Sequence, residues 1–175
     1  KTTLLTIMGL LLPPPAGSVN LLGRDVSRGS ETSLAALRRR HVSFIFQSFN
    51  LLSALTAVEN VQIGLELQGL RRREASRRSR ALLERVGLAA RTEHRPADLS
   101  GGEKQRVGVA RALGSPAEIL LADEPTGSLD RDTAGPVVEL LRRMAHEDGR
   151  AVVVVTHDLR LEPRADRIIR MEDGR

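Results

Sequence analysis

The sequence predicts an α/β fold, in which a parallel β-sheet is covered by helices and interrupted by a helical insertion. Three apolar runs, VSFIF, ILLA and AVVVV, lack the alternation of polar and apolar residues that a half-exposed strand shows. Continuous runs of this kind are typical of strands buried on both faces of a parallel sheet. Helical patterns lie between them, and alternating strands and helices predict a layered architecture. The length of 175 residues suits one domain with an inserted lobe.

The elements follow in chain order from these patterns. Strands are predicted at residues 18–22, 42–46, 118–122 and 151–156. Helices are predicted at residues 3–12, 34–39, 74–86, 101–113 and 134–147. The stretch from residue 48 to residue 113 is mostly helical and lies between the second and third strands. We therefore predict a sheet core at residues 1–47 and 115–175, and a helical subdomain at residues 48–114.

Composition excludes several classes of site. The chain has no cysteine, so it holds neither a disulfide framework nor a thiolate metal site. No apolar run is long enough to span a bilayer, and we expect no signal peptide. Much of the net charge of +5 lies in residues 38–40 and 71–80, which suits an anionic partner or, more simply, a solvated helix face. Nucleic-acid stacking needs aromatic side chains. With three Phe, no Tyr and no Trp, we expect no nucleic-acid partner.

Polar side chains follow three of the predicted strands at the point where each strand ends. They are Gln47 after VSFIF, Asp123 and Glu124 after ILLA, and His157 after AVVVVT. Ligands of open parallel sheets bind at the carboxyl ends of the strands, so these side chains are expected to face one ligand. Asp123 and Glu124 are adjacent and start towards opposite faces, so one could hold a metal while the other acts as a general base. A simple Asp-Glu-Pro turn is the alternative.

The first three residues, Lys1, Thr2 and Thr3, run directly into a helical pattern. They match the last positions of the phosphate-binding loop G-x-x-x-x-G-K-[ST] and the helix after it. In that loop the lysine reaches the β- and γ-phosphates and the hydroxyl residue ligates Mg²⁺. Lys1 and Thr2 would take these roles. The glycines of the loop precede the lysine, so we expect them to be missing from this chain.

The stretch LSGGEKQRVGVARAL begins a helix with a serine and two glycines, although glycine is the poorest ordinary helix former. Ser100 and Glu103 have the spacing of a capping box. A cap does not require Gly101 and Gly102. Without a Cβ, the backbone N–H groups at a helix N-terminus can come close to an anion such as phosphate. A flexible loop before a capped helix is the alternative that this stretch alone leaves open.

Together these motifs resemble those of the nucleotide-binding subunits of ATP-binding-cassette (ABC) transporters, over essentially the whole chain. KTT resembles the end of a Walker A motif, Gln47 a Q-loop, LSGGE the signature and ILLADE Walker B. The sequence SLD, which ends at Asp130, resembles the D-loop, and His157 resembles the switch histidine. The surrounding sequence is most similar to the branch of lipoprotein-release, macrolide-efflux, FtsE-like and heterocyst-glycolipid exporter ATPases, and it leans towards the glycolipid exporter type.

The resemblance implies a P-loop NTPase (RecA-like) core with an inserted helical subdomain, and ATP and Mg²⁺ as ligands. The implied ATP-binding residues are Lys1, Thr2, Thr3, Ser100, Gly101, Gly102 and Asp130. The implied Mg²⁺ residues are Thr2, Gln47 and Asp123. The implied catalytic residues are Glu124 as general base, His157 at the γ-phosphate and Gln47 beside the attacking water.

The resemblance also implies two partners. One is a second copy, in a head-to-tail homodimer that sandwiches two ATP molecules. There Ser100, Gly101 and Gly102 of one subunit contact the ATP held by the other, and Asp130 organises the partner's site. The other is an integral membrane permease, which would dock on segment 47–61 at the cytoplasmic face of the plasma membrane. An ordinary helical core is the alternative for that segment.

The chain departs from the family pattern at its start. The β-rich N-terminal segment and its adenine-stacking aromatic are expected to be missing, so we expect the 175-residue fragment to bind ATP poorly and to be inactive. Residues 171–175 are expected near the end of the family's last strand. For the full-length parent, the leading function is ATP hydrolysis that drives export. The alternatives are an FtsE-like regulator of cell-wall hydrolases and a DNA-repair ATPase, whose long coiled coil has no counterpart here.

Overall fold

The computed structural model describes residues 1–171, apart from the side chain of Arg131. The helices are α1 (Thr2–Met8), α2 (Glu31–His41), α3 (Ala57–Leu67), α4 (Arg72–Arg85), α5 (Gly101–Gly114) and α6 (Arg131–His146). The strands are β1 (Asn20–Leu21), β2 (Arg24–Asp25), β3 (Val42–Ile45), β4 (Ile119–Asp123) and β5 (Ala151–Val155). Short 3₁₀ turns cover Ala89–Arg91, Pro96–Asp98 and Leu159–Arg164. The expected end of the last strand at residues 172–175 lies outside the described residues.

The three long apolar runs form one parallel sheet in the order β3-β4-β5. The central strand β4 is the most apolar because it is covered on both faces, and Leu120 and Leu121 have no solvent exposure. Leu121 packs with Leu5 of α1, and Leu120 belongs to a separate cluster that includes Val107 of α5. The predicted α/β fold with a parallel sheet is confirmed.

The first predicted strand does not belong to the parallel sheet. Residues 18–22 contribute only β1, which pairs antiparallel with β2 in a separate two-stranded ribbon. A two-residue strand is too short to show a period, so the sequence did not predict β2. Helix α1 was predicted to reach residue 12 but ends at Met8. At the next residue, Gly9, a Cβ would overlap the ring of Phe44, so this glycine lets the chain pass close to β3.

Residues 48–114 hold α3, α4 and α5, which pack against one another. Their apolar faces share one core with the sheet, since Val61, Leu83 and Val107 belong to the same buried cluster as Ile45 and Leu120. The helical stretch and the sheet therefore pack as neighbours around a continuous core.

Helix α3 begins with a capping box, in which the Thr56 hydroxyl accepts from the Glu59 N–H and Glu59 accepts from the Thr56 N–H. The T-x-x-E spacing was available in the sequence as a signal for this helix start. No helix within residues 1–171 is long and apolar enough to cross a membrane.

Candidate functional site

The carboxyl ends of the three parallel strands meet at one edge of the sheet. Ile45 of β3 pairs with Ala122 of β4, and Asp123 pairs with Val155 of β5. The residues that follow these positions are Gln47, Glu124, Thr156 and His157. The strand register therefore brings the predicted residues of all three strand ends to the same edge, as expected for a parallel sheet.

Asp123 is bound from the start of α1. The Thr2 hydroxyl donates to Asp123 Oδ1 across 3.3 Å, and the Asp123 residue is only 6% exposed. A hydroxyl and a carboxylate are oxygen ligands of the kind that Mg²⁺ prefers, and Mg²⁺ commonly takes only one or two carboxylates and completes its shell with water and phosphate. The residues at this position therefore fit Mg²⁺. No group of three or more His, Asp or Glu that could hold a metal occurs within residues 1–171.

Lys1 lies at the same edge, where its ammonium donates to the Thr156 carbonyl across 3.2 Å. Thr3 is exposed on the first turn of α1, and its carbonyl accepts from the Thr6 hydroxyl. The three residues that resemble the end of a Walker A motif therefore begin α1 beside the ends of β4 and β5.

Glu124 has a separate set of partners. The Thr156 hydroxyl donates to Glu124 Oε2 across 2.9 Å, and His157 Nδ1 lies 2.8 Å from Oε1. The Glu124 N–H donates to the Val155 carbonyl across 2.8 Å. The Asp123 carboxylate thus has its partner on α1, whereas the Glu124 carboxylate has its partners directly after β5.

The backbone of Glu124 is in the left-handed region, with φ of 46°. A non-glycine residue seldom adopts this conformation, and it persists where the surroundings over-determine it, often at functional sites. The Glu124 side chain is 12% exposed, whereas the His157 side chain is 79% exposed. The carboxylate is thus held under an imidazole that solvent or a ligand can reach.

Gln47 lies two residues beyond β3, with an exposed side chain. Its side chain makes no hydrogen bond to the part of the chain that the structure describes. Gln47 therefore lies at the predicted edge of the sheet, but its amide does not hydrogen-bond to Asp123 or Glu124.

The predicted capping box at the signature is confirmed. The Ser100 N–H donates to Glu103 Oε2 across 2.8 Å, and the Glu103 N–H donates to Ser100 Oγ across 3.2 Å. The N–H of Ser100 is the largest cause that lowers the pKa of Glu103, and Arg91 lies 3.2 Å from the same carboxylate. Ser100 is exposed and hydrogen-bonds at its own helix start rather than at the sheet edge, so a second molecule can reach it.

Gly102 of the signature also makes a packing contact that the sequence did not predict. A Cβ at Gly102 would lie 3.2 Å from Leu129 Cδ2, and a Cβ at Gly101 would lie 3.9 Å from Ser128 Cβ. The start of α5 therefore packs against the loop between β4 and α6. A side chain at Gly102 would press on Leu129, whereas Gly101 is exposed and has more room.

Asp130 is exposed and caps α6. Its Oδ1 accepts from the N–H groups of Asp132 and Thr133 across 3.0 and 2.9 Å. The Thr133 N–H is the main cause that lowers the pKa of Asp130. The structure does not bring Asp130 to the sheet edge of its own chain.

A cleft of about 320 Å³ opens beside Glu124 and His157. Sequence reasoning missed three polar residues around it, Thr126, Asp158 and Arg160. Arg160 binds Asp158 through Nε and Nη2 across 2.7 and 2.6 Å, and together with the Thr126 hydroxyl this lowers the pKa of Asp158 to about 2. The THD sequence directly after β5 was the signal that could have pointed to more than the histidine.

Comparison with known proteins agrees with this geometry. The family model described as ABC transporter matches residues 1–127. The lipoprotein-releasing system ATP-binding protein LolD of Chromohalobacter salexigens is 43% identical over 175 residues, which are 100% of this chain and 74% of that protein. The macrolide export ATP-binding/permease protein MacB 1/2 of Paracoccus denitrificans is 48% identical over all of this chain, which spans 26% of that longer protein.

A solved structure shows the same architecture. The ATP-binding cassette MJ0796, as a dimer in a post-hydrolysis state bound to ADP and Pi, aligns with a TM-score of 0.94 at 38% identity. The alignment covers 99% of this chain and 76% of that one. With a matching family model, relatives at more than 40% identity over the full chain and the shared fold, this chain belongs to the ABC transporter family and has the P-loop NTPase fold of its ATP-binding cassettes.

Proposed function

We propose that this chain is the ATP-binding and ATP-hydrolysing subunit of an ABC transporter that powers export through a partner membrane subunit. The observation that supports this most is the separation of two carboxylates at one sheet edge. Asp123 is bonded to Thr2, and Glu124 is bonded to Thr156 and lies beside His157. This separation supports Asp123 as the proposed metal ligand and Glu124 as the proposed acceptor of a proton.

The phosphate side of the proposed site is built at the start of α1. Lys1 would bind the β- and γ-phosphates of ATP, and Thr2 and Asp123 would hold Mg²⁺ together with Gln47, which lies two residues after β3. Bound Mg²⁺ neutralises the charge of the phosphate oxygens and orients them. Thr2 and Asp123 already share a hydrogen bond of 3.3 Å, so little movement is needed for both oxygens to serve one ion.

Glu124 is the proposed general base. Its carboxylate accepts the proton of the attacking water, a role typically worth about 10²–10⁴-fold in rate. Thr156 donates to one carboxylate oxygen and fixes its plane, while His157 lies at the other oxygen and reaches solvent. We propose that His157 contacts the γ-phosphate and keeps Glu124 oriented, which its contact with Glu124 and its exposure support.

The other half of the proposed site comes from a second copy. Ser100, Gly101 and Gly102 lie at an exposed helix start, away from the hydrogen bonds of the sheet edge. A helix N-terminus favours an anion, so the γ-phosphate held by one subunit suits this end of α5 in its partner. A solved neighbour is dimeric. We propose a head-to-tail homodimer in which Asp130 orders the facing loops.

The proposed membrane partner docks on segment 47–61, which joins the sheet core to the proposed helical subdomain of residues 48–114. This segment exposes Leu52, which is 49% accessible and lies five residues after Gln47 in the sequence. MacB is named as a joined ATP-binding and permease protein. A peripheral position at the cytoplasmic face of the plasma membrane follows from that docking.

A mixing experiment tests the composite site in the full-length protein. Glu124→Gln removes the base from one subunit's own site, and Ser100→Arg blocks the partner's site. Each variant alone is expected to be inactive. A heterodimer of the two variants keeps one intact site, made of Glu124 of one subunit and Ser100 of the other. Random mixing makes about half of the dimers heterodimers. If the two sites act independently, the mixture should therefore regain about a quarter of wild-type ATPase. Failure of mixing to restore any activity, with heterodimers shown by tag pull-down, would contradict the proposal.

A further inference from the structure

Arg111, in the last turn of α5, reaches across to the loop that follows the Q-loop glutamine. Its Nη1 donates to the Asn50 carbonyl across 2.7 Å, and its Nη2 donates to the Phe49 carbonyl across 2.9 Å. Hydrogen bonds from a charged donor are stronger than neutral ones, and a planar guanidinium can bind two acceptors at once. One side chain therefore binds two successive carbonyls of a loop that is distant in the sequence.

The two carbonyls belong to residues with an unusual backbone. Phe49 and Asn50 both have left-handed φ values, of 62° and 47°. Asn tolerates this region, but a bulky residue such as Phe is a genuine outlier there. Local hydrogen bonds support the turn, from the Phe49 N–H to Phe46 and from the Asn50 N–H to Ser48. Among residues 1–171, Arg111 is the residue whose side chain donates to both carbonyls, which favours this backbone conformation.

The hydrogen-bond acceptors of the Arg111 guanidinium are carbonyls of the loop and not a carboxylate, among the residues that the structure describes. The side chain is half-buried, and a Cβ at Gly64 of α3 would lie 3.9 Å from Arg111 Cγ. Burial lowers the pKa of Arg111. Within residues 1–171 no carboxylate forms an ion pair with it. The guanidinium is thus compensated by the two carbonyl dipoles rather than by an acid.

The rest of the loop is held by a second buried polar residue, Asn60 of α3, which is 1% exposed. Its Oδ1 accepts from the Leu52 N–H across 2.7 Å, and its Nδ2 donates to the carbonyls of Leu52, Leu55 and Thr56 across 3.0–3.1 Å. Asn60 ties the second half of the loop to α3, and Arg111 ties the first half to α5.

We propose that Arg111 is a positioning residue that makes Phe49 and Asn50 move with α5, so that displacement of the loop by a membrane subunit reaches Ser100. Ser100 and Arg111 lie at opposite ends of the same helix, about 17 Å apart at 1.5 Å per residue. A helix of this length transmits a shift at one end to the other as a rigid element. This inference rests on the proposed function, because it needs a docked partner at the loop and a phosphate at Ser100.

The first experiment tests the clamp alone. Hydrogen exchange is measured on the full-length protein for wild type, Arg111→Met and the control Arg77→Met, which removes an exposed arginine of α4. In Arg111→Met the amides of residues 48–52 should exchange at least tenfold faster than in wild type, while the amides of β4 exchange at the wild-type rate. In Arg77→Met all of these amides should exchange as in wild type. Arg111→Lys keeps the charge but can bond fewer acceptors, and it should fall between the two. Loop exchange within twofold of wild type in both Arg111 variants would overturn the clamp.

The second experiment tests the coupling. The ATPase of the same variants is measured alone and in proteoliposomes with the membrane subunit. Arg111→Met should lose at least tenfold of the stimulation by the membrane subunit, while KM for ATP without that subunit changes less than twofold. Stimulation that stays within twofold of wild type would overturn the coupling. A wild-type protein without ATPase would contradict the proposed function instead, and the exchange experiment would still decide whether Arg111 clamps the loop.

Discussion

The imidazole of His157 lies against the carboxylate of Glu124, with 2.8 Å between Nδ1 and Oε1. The two residues follow neighbouring parallel strands, and the register of β4 with β5 brings them together. Because Thr156 also donates to Glu124, the carboxylate is oriented entirely from the end of β5. Glu124 can thus keep its orientation while Asp123 is occupied with Thr2.

Glu124→Gln should abolish ATP turnover in the full-length protein. The amide cannot accept the proton of the attacking water, so we expect a fall in kcat of at least about 10²-fold. ATP binding should persist, because Lys1, Thr2 and Asp123 are unchanged, and the closed dimer should accumulate. Steady-state ATPase and size-exclusion chromatography in ATP measure the two effects. Glu147→Gln, at an exposed residue after α6, is the control, and a variant that stays monomeric in ATP would count against this role.

If the proposed head-to-tail dimer forms, Ser100→Arg should stop hydrolysis by placing bulk and positive charge at the phosphate and Mg²⁺ proposed to be held by the partner. Both Ser100→Arg and the control Ser100→Ala lose the helix cap, which costs about 1 kcal/mol of stability. Only the arginine fills the site, so we expect at least about 100-fold lower turnover than in Ser100→Ala, a difference of about 2.7 kcal/mol in barrier. Turnover near wild type in Ser100→Arg would exclude a composite site at this helix.

Two glycines of α5 should respond in opposite ways to alanine. At Gly114 a Cβ would lie 2.9 Å from Leu82 Cδ1 and 3.2 Å from Leu65 Cδ2, so Gly114→Ala overpacks the core and should destabilise by about 1–3 kcal/mol. At Gly108 a Cβ meets nothing within 4 Å, so Gly108→Ala should stabilise by up to about 1 kcal/mol through helix propensity. Urea unfolding measures the change in the free energy of unfolding for both variants. A change of the same sign in both would contradict the packing around these two glycines.

The Asp158–Arg160 pair should make stability depend on acid pH. Arg160 is the main cause that lowers the pKa of Asp158 from 3.8 to about 2. A carboxyl with a lowered folded pKa contributes its stability above the unfolded value, and that contribution is lost as the pH falls from 3.8 towards 2. Asp158→Asn should therefore be less stable than wild type at pH 5, and the difference in Tm should shrink at pH 3. A difference that grows on acidification would contradict the pairing.

The sequence alone predicted which residues lie at the sheet edge, because the strands are continuous apolar runs. Each run ends abruptly at a polar residue, so the positions of Gln47, Asp123 and His157 at one edge follow from the parallel order alone. The bond from Thr156 to Glu124 was missed because the predicted strand of residues 151–156 included Thr156, although the THD sequence could have pointed to it.

Contacts between distant parts of the chain could not be predicted. Gly102 was assigned to phosphate, yet it also makes room for Leu129, which only the packed loop reveals. Arg111 is separated from the carbonyls it binds by 61 and 62 positions, and nothing in the local pattern of α5 indicates that it turns towards Phe49. The left-handed backbone of Glu124 is likewise a product of tertiary packing rather than of local preference.

The pairing of β3 with β4 has a consequence for synthesis on the ribosome. Strand β3 emerges first, but its hydrogen-bonding partner follows only after all of residues 48–114 have been made. Until then the run VSFIF offers an unsatisfied apolar edge, of the kind that promotes aggregation. The intervening helices are contiguous and rich in local contacts, which form early. Early collapse of these helices onto Ile45 would shield the waiting strand, so nascent chains that stop before Ile119 should depend most on chaperones.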